Sequence, residues 1–265
     1  MSALTAYIDG IAVLGPGLDG WPEAAAVLAG RAPYAAGATL LPAPLSLPAA
    51  ERRRTGRVVK LAISVGLEAA GRAGLEVGGL VTVFSSSACD GDNCHEICET
   101  LATAERQLSP TRFHNSVHNA AAGYWSIATG AMAASTALCG YDASFAAGLL
   151  EALSQVVTLQ RPVLLIAADT AYPPPLSAKR PLLDAFGIAL ALSPSRGERS
   201  VARLAATLVD GAADRLEDAA LEPLRQGAPA GRGLPLLALL ARRQGGSVKI
   251  EYLHPLALCA EVDLC

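Results

Sequence analysis

The chain has 265 residues, which is enough for one large α/β domain or two small ones. Apolar residues make up 52% of the chain and charged residues only 17%, a balance that favours apolar surface reserved for a partner. The net charge of −3 argues against a nucleic-acid partner, which requires a basic face, and no apolar run approaches the roughly 20 residues that span a membrane.

Apolar periodicity and turn residues predict the elements of the first part of the chain. They are a strand at 5–14, a helix at 21–28, an irregular stretch at 40–50, a helix at 57–72, a strand at 80–85 and a helix at about 91–106. The first residues lack the basic start and the cleavage site of a signal peptide, so we expect a cytoplasmic protein.

The same rules predict the elements that follow. They are a loop leading into a helix at 115–126, strands at 133–138, 162–168 and 188–192, and a helix at 143–159. Strands thus alternate with helices up to about residue 193, which predicts an α/β fold whose mostly parallel sheet is flanked by helices. After that point a linker leads to a strand at 203–209 and to an antiparallel pair at 247–252 and 257–262.

The six cysteines do not form a recognisable metal site. Cys89, Cys94 and Cys98 lie near His95, but their spacing matches no zinc-finger or paired C-x-x-C pattern. We therefore expect no metal and no cofactor, and no disulfide in a reducing compartment.

A basic cluster stands at the start of the helix predicted at 57–72. Its members are Arg52, Arg53, Arg54, Arg57 and Lys60. Such a run is usually the solvated start of a helix; the alternative is a docking site for an acidic carrier protein.

Three segments, in this order, resemble the N-terminal half of the β-ketoacyl synthases of the thiolase superfamily. They are AYIDGIAVLGPGLDGWPEAAAVLAGRAPY, SPTRFHNSVHNAAAGYWSIATGAMAAS and STALCGYDASFAAGLLEALSQV. The strings HNSVHNAAAGYWSIATG and SFAAGLLEA more narrowly resemble the chain-length-factor-like subunits that occur with aryl-polyene pathways. The resemblance implies a thiolase-like fold, with an N-terminal domain at 1–195 and a reduced C-terminal extension at 196–265 that completes the fold.

The resemblance also locates the position of the family's nucleophile, a cysteine at the mouth of a buried helix. A thiolate there has a lowered pKa and attacks thioesters strongly. Counting back from the Glu151–Ala152 step, that position falls on Asp142. A carboxylate is a poor acyl acceptor but a good helix N-cap, which is the role that we expect for Asp142. Cys139 is the rival nucleophile, but only if the turn begins three residues earlier.

The histidines lead to the same expectation. The family uses two histidines, in segments resembling His-Gly-Thr-Gly-Thr and Gly-His-x-x-Gly-Ala, and neither string occurs in this sequence. His95, His114 and His118 fall in the first half, and His254 stands in LHPLA. We therefore expect the chain to carry no catalytic residue.

Synthases of this family dimerise by joining their central sheets, and the resemblance implies where this chain would meet its partner. The joining strand would consist of Ala133, Ala134, Ser135, Thr136, Ala137 and Leu138. The residues implied at the partner's site and at the acyl tunnel are Asp92, His95, Glu96, Glu99, Phe113, Asn115, His118, Asn119 and Tyr124. Tyr124 and Trp125 point about 100° apart on a helix, so we expect one in the core and the other toward the partner.

The leading hypothesis is a catalytically silent, chain-length-factor-like subunit that pairs with a full-length β-ketoacyl synthase. The pair would act on acyl or polyenoyl chains linked through phosphopantetheine to an acyl carrier protein. One alternative is a stand-alone acyltransferase or thioesterase that uses Cys139 or Ser144. The other alternative is a purely structural interaction protein without a tunnel.

Overall fold

One nine-stranded sheet runs through the computed structural model, which describes residues 3–265. Its strands are β1 (Leu4–Gly15), β2 (Leu18–Asp19), β3 (Val81–Ser85), β4 (Ser135–Leu138), β5 (Val163–Asp169), β6 (Phe186–Ser193), β7 (Ala202–Asp210), β8 (Gly246–Glu251) and β9 (Leu256–Leu264). The strand order across the sheet is β4-β3-β5-β6-β1-β7-β9-β8, and β2 pairs with β1.

Helices cover both faces of this sheet. They are α1 (Trp21–Leu28), α2 (Ala49–Arg52), α3 (Arg57–Ala73), α4 (Gly91–Ala102), α5 (Pro110–His114), α6 (Ala120–Thr129), α7 (Ser144–Leu159), α8 (Leu176–Lys179), α9 (Glu222–Gly227) and α10 (Leu234–Arg242). The predictions for α1, α3 and α7 are confirmed to within one residue. Helix α4 ends at Ala102, four residues before the predicted bound of 106. The predicted bound is wrong in any case, because Arg106 has a left-handed conformation that a right-handed helix cannot contain.

The strand directions correct one expectation, because the sheet is not mostly parallel. Only β3 pairs in parallel, with β4 on one side and β5 on the other, and every other strand pair of residues 3–265 is antiparallel. Strand β1 runs in the same direction as β3, β4 and β5 and reaches β3 through helices, but β6 lies between β5 and β1 and is antiparallel to both, so β1 has no parallel neighbour. The antiparallel pair predicted near the end of the chain is confirmed as β8 and β9.

The core forms two apolar layers, one on each face of the sheet. Helices α3 and α6 cover one face, and α1, α7 and α10 cover the other. Trp125 is buried under α3, where a β-carbon on Gly66 would lie 2.7 Å from the indole ring. Tyr124 is buried as well, so the expectation that one of the two aromatic rings faces outward is wrong.

The C-terminal segment extends the same sheet. The expected boundary at residues 195 and 196 falls in the loop between β6 and β7, and β7 pairs with the first strand of the chain. Strands on both sides of the boundary therefore share one hydrogen-bonded sheet. Among residues 3–265, no helix has the length and the apolar composition needed to cross a membrane.

Candidate functional site

The three parallel strands end at the same edge of the sheet and bring polar loops together there. Ser86 and Ser87 follow β3, residues 139–142 follow β4, and Asp169 is the last residue of β5. In open α/β sheets, ligand sites form in the crevice outside the carboxyl ends of parallel strands. This edge is therefore the candidate site.

The turn between β4 and α7 has a strained point at its tip. Tyr141 is exposed and has a φ of 55°, a left-handed conformation that is uncommon for a bulky residue. The buried hydroxyl of Ser144 fastens the turn, because it donates to the carbonyl of Tyr141 at 2.7 Å and accepts from the N–H of Gly140 at 3.1 Å. Ser144 thus already uses its hydroxyl within the turn.

Asp142 lies inside this turn and is not the N-cap of the helix. Helix α7 begins at Ser144, and its N-cap position is Ala143, which has no side chain that caps. The carboxylate instead accepts a hydrogen bond from Arg180 at 2.9 Å and lies 4.0 Å from Nη2 of Arg232. The expected N-cap role is therefore wrong: a short 3-10 turn precedes the helix, and two guanidinium groups attract the carboxylate more strongly.

Arg180 connects the turn to the loop after β3. Its guanidinium carbon lies 3.5 Å from the centroid of the Tyr141 ring, and Nη2 also donates to the hydroxyl of Ser87 at 2.8 Å. Burial disfavours the charged form of this side chain, but hydrogen bonds with Asp142 and Tyr172 outweigh that effect and raise the pKa of Arg180. The arginine is therefore held as a permanent cation above the turn.

Arg232 supplies the second cation of the site. Its side chain is only 10% exposed, and its Nε lies 2.7 Å from Oε2 of Glu251 without the N–H pointing at that oxygen. Because Glu251 belongs to β8, this ion pair joins the C-terminal part of the sheet to the turn after β4.

Asp169 ties the loops together beneath the ion pairs. Its carboxylate accepts hydrogen bonds from the N–H groups of Ser87 at 2.7 Å and Ala230 at 3.0 Å, and from the hydroxyl of Ser86 at 3.3 Å. Complete burial raises the pKa of Asp169 to about 6, and these hydrogen bonds offset only part of that rise.

Neither a thiol nor an imidazole forms a hydrogen bond or ion pair with Asp142 within residues 3–265. The side chains that contact Asp142 are arginines, whereas acyl transfer from a thioester needs an activated nucleophile and a proton carrier. Cys139 is a free, exposed cysteine directly after β4. Within residues 3–265, no three side chains of the types that bind metals are grouped together.

Four of the predicted tunnel and partner residues share one open groove of about 700 Å³ beside α5 and α6; they are Phe113, Asn115, Asn119 and Tyr124. Phe113 is exposed there, whereas the hydroxyl of the buried Tyr124 donates to Oδ1 of Asn115 at 3.1 Å. The exposed His118 borders a separate small cavity of about 10 Å³.

The predicted residues of α4 do not line that groove. Asp92 and Glu96 line a second groove of about 430 Å³, together with most of the basic cluster. Glu96 forms an ion pair with Arg112, and Nε2 of His95 lies 3.2 Å from Oε1 of Glu99. The nine predicted residues are therefore divided among several surfaces. Neither the two grooves nor the small cavity at His118 is lined by the turn at Asp142.

The predicted joining strand lies at the edge of the sheet. β4 pairs only with β3, so its other side is free within residues 3–265. The observed strand comprises the last four of the six predicted residues, while Ala133 and Ala134 precede it. Met132, just before this segment, is 93% exposed.

Sequence reasoning missed three residues of the site. Asp169 could have been found, because a carboxylate that ends an otherwise apolar buried strand is a readable signal. Arg180 and Arg232 stand in proline- and glycine-containing loops without periodicity, and nothing local to them indicates contact with Asp142.

Comparison with known proteins places the chain in a family. Residues 25–245 match the family model described as β-ketoacyl synthase, N-terminal domain. The sequence matches none of the curated proteins with which it was compared.

Solved structures share the fold. In the complex of the ketosynthase ApeO with its chain length factor ApeC from Xenorhabdus doucetiae, one chain is 22% identical with a TM-score of 0.73, and the match covers 97% of this chain and 99% of that one. A chain of the AntDE:AntF complex, a type II polyketide synthase carrier protein with its ketosynthase, is 10% identical with a TM-score of 0.73, and both chains are covered completely. A β-ketoacyl synthase from Burkholderia phymatum is 14% identical with a TM-score of 0.63, over 92% of this chain and 71% of that one. The predicted thiolase-like α/β fold is confirmed.

Proposed function

We propose, from the premise that this chain belongs to the β-ketoacyl synthase N-terminal domain family, that it is a non-catalytic, chain-length-factor-like subunit. It heterodimerises with an active β-ketoacyl synthase and shapes the tunnel in which that enzyme extends acyl or polyenoyl chains. The substrates are linked through phosphopantetheine to an acyl carrier protein, in a cytoplasmic pathway of the aryl-polyene type.

The ion-paired carboxylate of Asp142 is the observation that supports this proposal. At the position that the resemblance assigns to the family's nucleophile, Asp142 is a poor acyl acceptor and forms an ion pair with Arg180, with Arg232 4.0 Å away. A substitution of this kind removes the covalent step and retains the helix mouth as a structural element. A chain without the nucleophile but with an intact turn fits a subunit that does not catalyse condensation and contributes to the assembly.

Two surfaces support the choice of a partner subunit. The free edge of β4 presents unpaired backbone groups, which is how sheets of two subunits join. Beside it, the groove at Phe113 and the exposed Met132 leave apolar surface uncovered. The complexes that share this fold contain a chain length factor in one case and a carrier protein in another, which supports partners of the same kinds.

The test is to assay condensation by the purified chain alone, by a partner synthase alone and by the two together, with acyl and malonyl groups on the carrier protein. We expect the lone chain to condense at least about 10³-fold more slowly than the pair, as enzymes without their catalytic groups do. Asp142→Cys in the lone chain should remain inactive, because a thiol without the two family histidines lacks its proton carriers.

Cys139→Ala is the matched control, because Cys139 is a free, exposed thiol directly before the turn. We expect the variant to leave the activity of the pair unchanged. Condensation by the lone chain that Cys139→Ala abolishes would refute the silent subunit and favour the stand-alone acyltransferase. A lone chain and a pair that are equally inactive, with no stable complex, would also refute it.

A further inference from the structure

The connection between β5 and β6 contains a segment that is fastened at both ends. Before it, the ring of Tyr172 is buried against Gly91. After it, the N–H of Leu183 donates to the carbonyl of Gly227 at 3.1 Å, and Asp184 accepts from the N–H of Thr39 at 2.9 Å. Between these anchors, residues 173–182 form what we call the strap, and most of its residues are exposed.

A single side chain joins the strap to the rest of the molecule through polar contacts. Within residues 3–265, every hydrogen bond or ion pair that leaves the strap for the loops around the turn comes from the guanidinium of Arg180. The other hydrogen bonds of the strap stay inside it, such as those from the N–H groups of Ser177 and Ala178. Lys179, next to Arg180, is exposed and forms no ion pair with any residue of 3–265.

The side chain of Arg180 is largely removed from solvent. Its side chain is 14% exposed and lies between the ring of Tyr141, the carboxylate of Asp142 and the hydroxyl of Ser87. Three contacts, two of them with charged or aromatic groups, converge on one guanidinium. The exposed residues around it add little apolar burial, so the attachment depends on this one group.

We infer that the strap is a lid over the turn after β4, hinged at its two anchors and latched by Arg180. When the latch is closed, the guanidinium covers Ser87 and part of Asp142. When it opens, both lose their contact with Arg180, Asp142 keeps Arg232 as its only nearby cation within residues 3–265, and the carboxyl ends of β3 and β4 become accessible. The lid is a property of the isolated chain and does not depend on the proposed role as a subunit.

Hydrogen exchange of the full chain, measured by mass spectrometry, tests the latch. In Arg180→Ala, we expect the amides of Ser177 and Ala178, which bond inside the strap, to exchange about 10- to 100-fold faster, because the single helical turn that they close is not stable by itself once the guanidinium no longer holds it. Lys179→Ala is the matched control at the preceding position, the last residue of α8, and should exchange at the wild-type rate. Arg180→Lys keeps the charge without the planar fork, so its exchange rate should fall between the other two.

Two results would overturn the lid. One is wild-type exchange of the strap in Arg180→Ala, which would show that other contacts hold it. The other is an equal acceleration in the strap, in β5 and in α7, because this pattern reports loss of global stability rather than opening of a hinged segment. A thermal unfolding curve of each variant separates these cases independently of exchange.

Discussion

At the scale of single residues, Asp142, Arg180 and Arg232 depend on one another. A guanidinium that is about nine-tenths buried needs a counterion, and the carboxylate lies within 4.0 Å of both arginines. Sequence reasoning located Asp142 by counting along one helix. It could not locate Arg180, which is 38 residues away in sequence and reaches the turn only through the fold.

Asp169 gives a residue-scale prediction about pH. Its pKa is raised from an ordinary value of 3.8 to about 6 by burial, so the folded chain binds a proton that the unfolded chain has already released. The stability contributed by this group is therefore complete below pH 3.8 and is lost as the pH rises through about 6. We expect the unfolding free energy of the wild type, relative to Asp169→Asn, to fall by about 2 kcal/mol between pH 4 and pH 7.

Urea unfolding of both proteins across that pH range measures the difference. Asp169→Asn does not titrate at this position. Subtracting its unfolding free energy from that of the wild type therefore cancels the titrations of all other groups and leaves that of Asp169. A difference that stays constant, or that grows with pH, would contradict the raised pKa. A carboxylate paired mainly with Arg180 would give the growing difference.

At the scale of elements, β4 shows which backbone groups a partner can reach. The carbonyls of Ala134 and Leu138 accept hydrogen bonds from residues of β3 and of the loop after it. Because backbone groups alternate along a strand, those of Ser135 and Ala137 point to the free edge. Ala137→Pro removes an outward N–H, and edge strands tolerate such a substitution.

If the proposed partner synthase binds this edge, we expect Ala137→Pro to weaken the association at least about tenfold, since it removes one backbone bond and obstructs the edge. Analytical ultracentrifugation or titration calorimetry of the mixture measures the change. Ala137→Gly keeps the N–H and should still associate. If both variants bind as the wild type does, the partner does not add to this edge of the sheet.

Element types were more predictable from the sequence than strand directions. The helices α1, α3 and α7 have clear periodicity and defined ends, such as the left-handed Gly74 after α3. The direction of β6 depends on the strap that precedes it, which turns the chain back without a crossover helix. The sequence of a proline-rich loop does not indicate that the chain reverses direction. The prediction of a mostly parallel sheet therefore wrongly included β6.

At the scale of the whole molecule, the C-terminal strands complete the core. β7 pairs with β1 along Leu4 to Ile8, and α10 packs on the apolar layer that contains Ile8. A chain that ends at residue 195 would expose this edge and this layer to water. We therefore expect the truncated chain to lose cooperative thermal unfolding and near-ultraviolet circular dichroism.

Removing only the exposed Leu264 and Cys265 is the control for this truncation. The shorter deletion should keep a single cooperative transition, because it removes little buried surface. A cooperative transition in the chain of residues 1–195 would show that the N-terminal part is an independent domain.

The central position of β1 also has a consequence for how the protein is made. Ile8 pairs with Leu192 on one side and with Ala202 on the other, so both neighbours emerge from the ribosome long after it does. At about 5–20 residues per second, the nascent strand waits about 10–40 s for them. During that interval its apolar side chains are available to chaperones and exposed to pairing with other polypeptides.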